Sequence, residues 1–241
     1  MSGLFIALQF LTRIPTPPVA PDKAGDLARA APWLPVVGAI VGALVAVAVS
    51  LGTYLGPWVG ALVGLVVWVL VTGGLHLEGL GDVTDGLGAA HGNKDRFLAV
   101  ARDPHLGSFG AIAIVLQLMA KLVLLAAVAD KMGTEEIVAG LILVAAWARW
   151  ATLVLGRTVP PLTEGLGSRF ASGIDTRTVA LEAALLAIVS FNVAPFLLAA
   201  LPLTAAFALY WRTRLGGMTG DCHGASIEVM ESLLLLALLV G

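Results

Sequence analysis

Long stretches of this chain carry almost no charge, and that scarcity constrains its fold more than any motif. Apolar segments run over 33–52, 57–73, 107–129, 136–156, 178–192, 195–210 and 225–240. Of 241 residues, 59% are hydrophobic and only 12% are Asp, Glu, Lys or Arg, against about 25% charged in an ordinary soluble domain. Too few ionisable side chains remain to cover a surface facing water. A soluble enzyme, a nucleic-acid-binding protein and a secreted disulfide scaffold are therefore poor descriptions. The net charge of −2 gives no bulk attraction to nucleic acid, and the single Cys222 can form no intrachain disulfide. A helix needs about 20 residues to cross a bilayer, and these runs lack the alternation of membrane-barrel strands. The expected fold is all-α: a polytopic membrane helical bundle of about seven transmembrane helices, forming one integral-membrane domain over 1–241.

Several segments are short, so their ends are soft by a few residues. The fifth and sixth are divided only by Asn192 and Pro195, which leaves a hairpin or one kinked span open. The opening Leu4 to Leu11 is too short to span and reads as an interfacial helix, not a secretory signal. Gly38 with Gly42, and Gly60 with Gly64, make two small-xxx-small patterns that let helix backbones approach closely in lipid. With seven spans, one side collects Arg13, Lys23, Arg29, Lys94, Arg96, Arg102, Arg157, Arg169, Arg177, Arg212 and Arg214, while the other connections offer only Lys131. The positive-inside rule then places the N-terminus and the three long loops in the cytoplasm.

The acids are scarce, yet three fall within eight positions of GGLHLEGLGDVTDGLG: Glu78, Asp82 and Asp85. Their i, i+4, i+7 spacing stacks them on one helical face, where like charges repel unless a cation sits among them. Oxygen-only ligands suit a hard ion, and Mg²⁺ where substrate phosphates complete its shell. The plain alternative is a solvated acidic face at a helix end. The flanking glycines argue against it, because they weaken a helix and let a bulky ligand approach the backbone.

Two further polar islands fall on the same expected side. ARDPHLGSFGA carries Arg102, Asp103, His105 and Ser108, a set that could serve phosphate and metal, or could be an N-capping loop with a surface ion pair. GGMTGDCHGASIEVMES carries Thr219, Asp221, His223, Glu228 and Glu231. Asp221 and Glu228 share a face if a helix begins near 221. Charges inside the apolar terminal segment are expensive and usually face a polar interior. Lys121 and Arg149 also lie within spans. Arg149, nearer the cytoplasmic face, is a candidate for diphosphate oxygens or for the carboxylates; Lys121 is deeper and suits snorkelling or an interhelical hydrogen bond. The four histidines show no zinc spacing, and neither a nucleophile elbow nor a P-loop is present.

FLTRIPTP near the start, then GGLHLEGLGDVTDGLG, RDPHLGSFGA and GGMTGDCHGASIEVMES, resemble in order the signature segments of the cobalamin synthase family, the adenosylcobinamide-GDP ribazoletransferases. The resemblance runs along nearly the whole chain. Glu78 stands where the family commonly has Asp, and Pro104 and His105 where Ser and Arg are frequent. The resemblance implies a Mg²⁺-dependent enzyme of the bacterial cytoplasmic (inner) membrane. It joins α-ribazole, or its 5′-phosphate, to adenosylcobinamide-GDP and releases GMP. Glu78, Asp82 and Asp85 would then hold the metal. Asp103, Asp221 and Glu228 are further ligands, or supply the base for the attacking hydroxyl. The candidate catalytic set is Asp82, Asp85, Asp103 and Asp221. Arg102, His105, Arg149, Thr219 and His223 are the candidate substrate contacts.

Other readings compete. Asp82-x-x-Asp85-Gly86 is similar to the first half of the CDP-alcohol phosphotransferase motif, and such an enzyme or a prenyltransferase would use the same metal on a lipid substrate. A transporter is less well supported, because no internal repeat is visible and the acids gather on one side. Membrane lipid is the expected surrounding, nucleic acid is not an expected partner, and a homo-oligomer or other cobalamin-pathway membrane proteins are open as partners.

Overall fold

In lipid every backbone N–H and C=O must be satisfied internally, and a helix does this within one segment. The computed structural model describes residues 2–18, 28–163 and 175–240. Lys23 and Arg169, two of the cations that set the expected orientation, lie outside the described residues. The helices are α1 (Ser2–Leu11), α2 (Leu34–Thr53), α3 (Pro57–Thr72), α4 (Leu75–Ala90), α5 (Lys94–Val100), α6 (Ser108–Lys131), α7 (Thr134–Thr158), α8 (Thr176–Val193), α9 (Ala200–Arg214) and α10 (Gly220–Val240). Short 3-10 turns, Ala31–Trp33 and Pro195–Ala199, lead into α2 and α9. No β-strand forms among the described residues.

Among the described residues six helices are long and apolar enough to cross a membrane, and α3 with α4 makes a bent pair that raises the number to seven if taken as one span. The chain is thus a multi-pass membrane protein. Pro195 cannot continue α8, and the two sides of the break, Thr176–Val193 and Pro195–Arg214, qualify as separate spans. The hairpin reading is the one realised. The terminal helix begins at Gly220, five residues before the expected boundary, which brings Asp221 into its first turn.

The close approaches follow the glycines. A Cβ on Gly38 would collide with the Ala145 carbonyl, and one on Gly42 with that of Leu141, so α2 lies directly on the α7 backbone. Gly60 and Gly64 seat α3 against Val49 and Thr53 of α2 in the same way. α7 forms the axis and is largely buried, whereas α8 is almost wholly exposed and faces outward. Leu181, Leu185, Ile188 and Phe191 of α8 are exposed, as a lipid-facing surface should be. α1 is the short helix expected, but Ile6, Ala7, Leu8 and Leu11 are buried in the main core with Ala30, Ala31 and Leu34. Protein contacts, and not an interface alone, hold it.

The bend between α3 and α4 positions everything below. Gly73 (φ 64°) and Gly74 (φ 72°) both occupy the left-handed region, which costs glycine little. Gly73 N–H donates to Leu70 O and Gly74 N–H to Val69 O, the paired bonds of a Schellman ending. α4 therefore leaves at 84° to α3. Other links gather the polar connections at this end. Arg13 N–H donates to Val71 O (2.7 Å), and Met218 N–H to Pro160 O (2.9 Å). Arg212 Nε donates to Thr158 O (3.0 Å).

Candidate active site

α4 carries its acids at the bend end of the bundle. Glu78 and Asp82, one turn apart, line a cavity of about 480 Å³ together with Arg102 and Asp103 from the α5–α6 connection. Leu77, Leu106 and Ile114 supply apolar wall, and Gly74 stands at its edge. α4 also packs on α10: a Cβ on Gly79 would lie 3.0 Å from Asp221 O, and one on Gly224 would lie 3.3 Å from His76 Cα. The glycines flanking the acids thus admit a neighbouring helix as well as leaving space for a ligand. Asp82 consequently feels the charges of Asp221, Glu78 and Asp85.

Asp85 belongs to the same helical face but not to the cavity wall. Its carboxylate accepts from Gly107 N–H (2.7 Å) and Gly110 N–H (2.9 Å), the first turn of α6. Gly107, the N-cap of α6, has no side chain to do this, so Asp85 caps that helix from across the fold. The position suits a carboxylate, because orphan N–H groups and the positive end of the helix dipole meet there.

Asp221 lies in the first turn of α10, half-buried. Thr219 Oγ1 accepts from Cys222 N–H (3.3 Å), capping the helix, and donates to Asp221 Oδ2 (3.4 Å). His223, also in this first turn, is half-buried. Asp103 accepts from His105 N–H (3.0 Å) and pairs with His105 Nδ1 (2.7 Å), in the open. The His105 backbone and ring hydrogen bonds hold the Asp103 carboxyl below the usual carboxylate range. His105 itself is turned to solvent, with 90% of its side chain exposed, and is not part of the cavity wall.

Arg149 and Glu228 sit apart from the cavity, in a buried ionic cluster between α6, α7 and α10. Arg149 pairs with Glu231. Lys121 pairs with Glu228 (2.6 Å) and with Glu231, and its Nζ lies 4.5 Å above the Trp68 ring. Gln117 donates to the Glu228 carboxylate (3.0 Å) and carbonyl (2.7 Å). Two cations and two anions balance. The structure therefore brings Glu78, Asp82, Arg102 and Asp103 together at a cavity and sets Asp221, at the start of α10, against α4 within electrostatic reach of Asp82. Asp85 is placed on a helix start, and Arg149 and Glu228 in an internal salt-bridge network. The interhelical bond expected of Lys121 is present. Glu231, outside the candidate site residues, is the partner of both buried cations; its place inside an apolar helix is the signal the sequence carries. Leu106 and Ile114, ordinary apolar residues in sequence, gave none.

The donor set fits a hard divalent cation. Glu78, Asp82 and Asp103 offer only oxygens. Among the described residues no three His, Cys, Asp or Glu side chains are grouped so as to hold a metal by themselves. A cation held here by one or two of these carboxylates would take its remaining ligands from water and substrate phosphates.

The family model for cobalamin-5-phosphate synthase matches residues 3–239. A relative named adenosylcobinamide-GDP ribazoletransferase from Laribacter hongkongensis is 51% identical, over 100% of this chain and 98% of its own length. A relative of the same name from Novosphingobium aromaticivorans is 45% identical, over 100% and 97%. One from Pseudomonas aeruginosa is 33% identical, over 99% and 98%. No solved structure gives a significant match.

Proposed function

We propose that this chain, which belongs to the cobalamin-5-phosphate synthase family, catalyses the closing step of cobalamin nucleotide-loop assembly. α-Ribazole, or its 5′-phosphate, reacts with adenosylcobinamide-GDP to give adenosylcobalamin, or its 5′-phosphate, and GMP. A family match along 3–239 carries the reading. It is supported by a cavity lined by Arg102 with Glu78, Asp82 and Asp103, residues of two of the four motif segments.

In this reaction a ribose hydroxyl of the nucleoside attacks the phosphorus joined to cobinamide. A new P–O bond forms, the P–O bond to GMP breaks, and the hydroxyl proton passes to a carboxylate. Arg102 suits the anionic phosphate, since a guanidinium matches two phosphate oxygens at once. Asp103 and Asp221 are the candidate bases. Asp103 lines the cavity, within reach of a hydroxyl bound there. Glu78 and Asp82 would hold Mg²⁺, which when bound supplies charge neutralisation on the phosphates. Asp85 acts on the site through α6, by fixing the start of the helix that follows Asp103 and Leu106.

The protein is assigned to the bacterial cytoplasmic membrane with its N-terminus and cavity on the cytoplasmic side. Supporting this, Arg13 lies against the α3–α4 bend and Arg102 lines the cavity, while Lys131 lies at the opposite end of α6. The test is turnover by the purified protein in lipid, given adenosylcobinamide-GDP, α-ribazole and Mg²⁺, with product followed by chromatography. Adenosylcobalamin and GMP should appear in equal amounts. Neither product from demonstrably folded protein would overturn the reading.

A further inference from the structure

The FLTRIPTP segment brings to the α3–α4 bend, one residue from the cavity wall, a cation with no task in the mechanism above. After α1 the chain crosses the end of α3, where Arg13 N–H donates to Val71 O (2.7 Å). Thr12, buried beside it, donates through Oγ1 to Leu8 O (2.7 Å) and accepts from Ile14 N–H (3.3 Å). The main chain carrying Arg13 is therefore fixed on both sides. Its side chain lies across the bend: a Cβ on Gly73 would lie 2.5 Å from Arg13 Nε and 2.8 Å from its Cγ. The next residue, Gly74, lines the cavity. Consecutive Cα atoms are only about 3.8 Å apart.

We propose that Arg13 is a phosphate anchor at the mouth of the cavity, its guanidinium binding phosphate oxygens of the substrate beside Gly73 and Gly74. The proposal rests on the transferase reading. Three observations carry it. Arg13 is exposed, with no ion pair or hydrogen bond among the described residues to occupy its fork. It stands against Gly73, and a Cβ on the next residue, Gly74, would meet nothing within 4 Å, so open space lies beside it at the bend. The cavity wall sets Glu78, Asp82 and Asp103 against one cation, Arg102, so a phosphorylated substrate needs positive charge from outside the wall. The competing role is structural, a cation at the C-terminal end of α3 interacting with the helix dipole. That role alters stability and leaves ligand affinity alone.

The test compares wild type, Arg13→Gln and Arg13→Lys in lipid, with folding checked by size exclusion and thermal unfolding. KM is measured for adenosylcobinamide-GDP, for α-ribazole and for α-ribazole 5′-phosphate. Arg13→Gln should raise one KM by roughly tenfold or more, the range for a charge-assisted bond, and shift kcat far less. Arg13→Lys should fall between, because it keeps the charge and loses the fork. A higher KM for the GDP substrate with either acceptor identifies the donor diphosphate. A higher KM for α-ribazole 5′-phosphate alone identifies the acceptor phosphate. Unchanged KM for all three substrates, with only a lower melting temperature, overturns the proposal. If wild type shows no turnover, the transferase reading fails by itself, and equilibrium binding of GDP and α-ribazole 5′-phosphate then decides the anchor. A tenfold loss for either ligand in Arg13→Gln supports it. Equal affinities, or no binding to wild type, overturn it.

Discussion

Glu231→Gln, an almost isosteric change, removes one charge from the ionic cluster between α6, α7 and α10. Glu231 is fully buried and pairs with Arg149 and Lys121, whose side chains are 1% and 3% exposed. With Gln in its place, those cations share only Glu228, and one buried positive charge stands uncompensated. Breaking a buried pair by removing one partner costs about 3–5 kcal/mol, well above the ~0.6 kcal/mol average of a neutral interhelical hydrogen bond in a membrane protein. For a protein of this size that corresponds to a fall of about 6–20 °C in melting temperature. The assay is thermal unfolding in a mild detergent. Its internal control is the pair Lys121→Met with Glu228→Gln, which removes one charge of each sign and leaves Arg149 matched to Glu231. The double variant should be less destabilised than the sum of its two single changes by at least ~1 kcal/mol. A Glu231→Gln protein melting within about 2 °C of wild type, or strict additivity in the control pair, would refute the charge-balance reasoning.

Asp85→Asn should lower stability by about 1–2 kcal/mol in thermal unfolding, the scale of a lost N-cap, while turnover per folded molecule falls far less than for a change at Asp82. Gly38→Leu should push α2 off the Ala145 carbonyl and cost at least ~1–3 kcal/mol as overpacking, read in the same unfolding assay; an unchanged melting point would show that α2 and α7 do not meet there. Chelation with EDTA should abolish turnover and added Mg²⁺ restore it, whereas full activity after exhaustive chelation would remove the metal from the mechanism.

Hydropathy made the bundle legible because lipid imposes one requirement on every span, and that requirement is written locally in each segment. The small-xxx-small pairs at Gly38–Gly42 and Gly60–Gly64 marked two real helix contacts for the same reason: close packing needs small residues wherever it occurs. The acidic face of α4 was half legible. Helical spacing put Glu78 and Asp82 on the cavity side. Asp85 shares their face, yet its carboxylate is engaged by backbone N–H groups 22 and 25 residues further on. The need for it arises from a glycine N-cap that local pattern does not connect to α4. Arg149 and Glu228 illustrate the same limit. Each looked like a site residue because a charge within a span needs an explanation, and the explanation is a partner far along the chain: 82 residues for Arg149 with Glu231, 111 for Gln117 with Glu228. Neighbouring charge is visible in sequence; pairing across helices is not.

A ribazole transferase working at the α4 face bearing Glu78 and Asp82 should lose its turnover in Asp82→Asn. Release of GMP and formation of adenosylcobalamin are measured beside wild type in the same lipid, with membrane insertion and melting temperature as controls. The expected loss is at least about a hundredfold, since loss of one positioned electrostatic contact at a reacting centre costs on the order of 10²–10³ in kcat, with folding unchanged. Turnover close to wild type from Asp82→Asn would place the chemistry elsewhere.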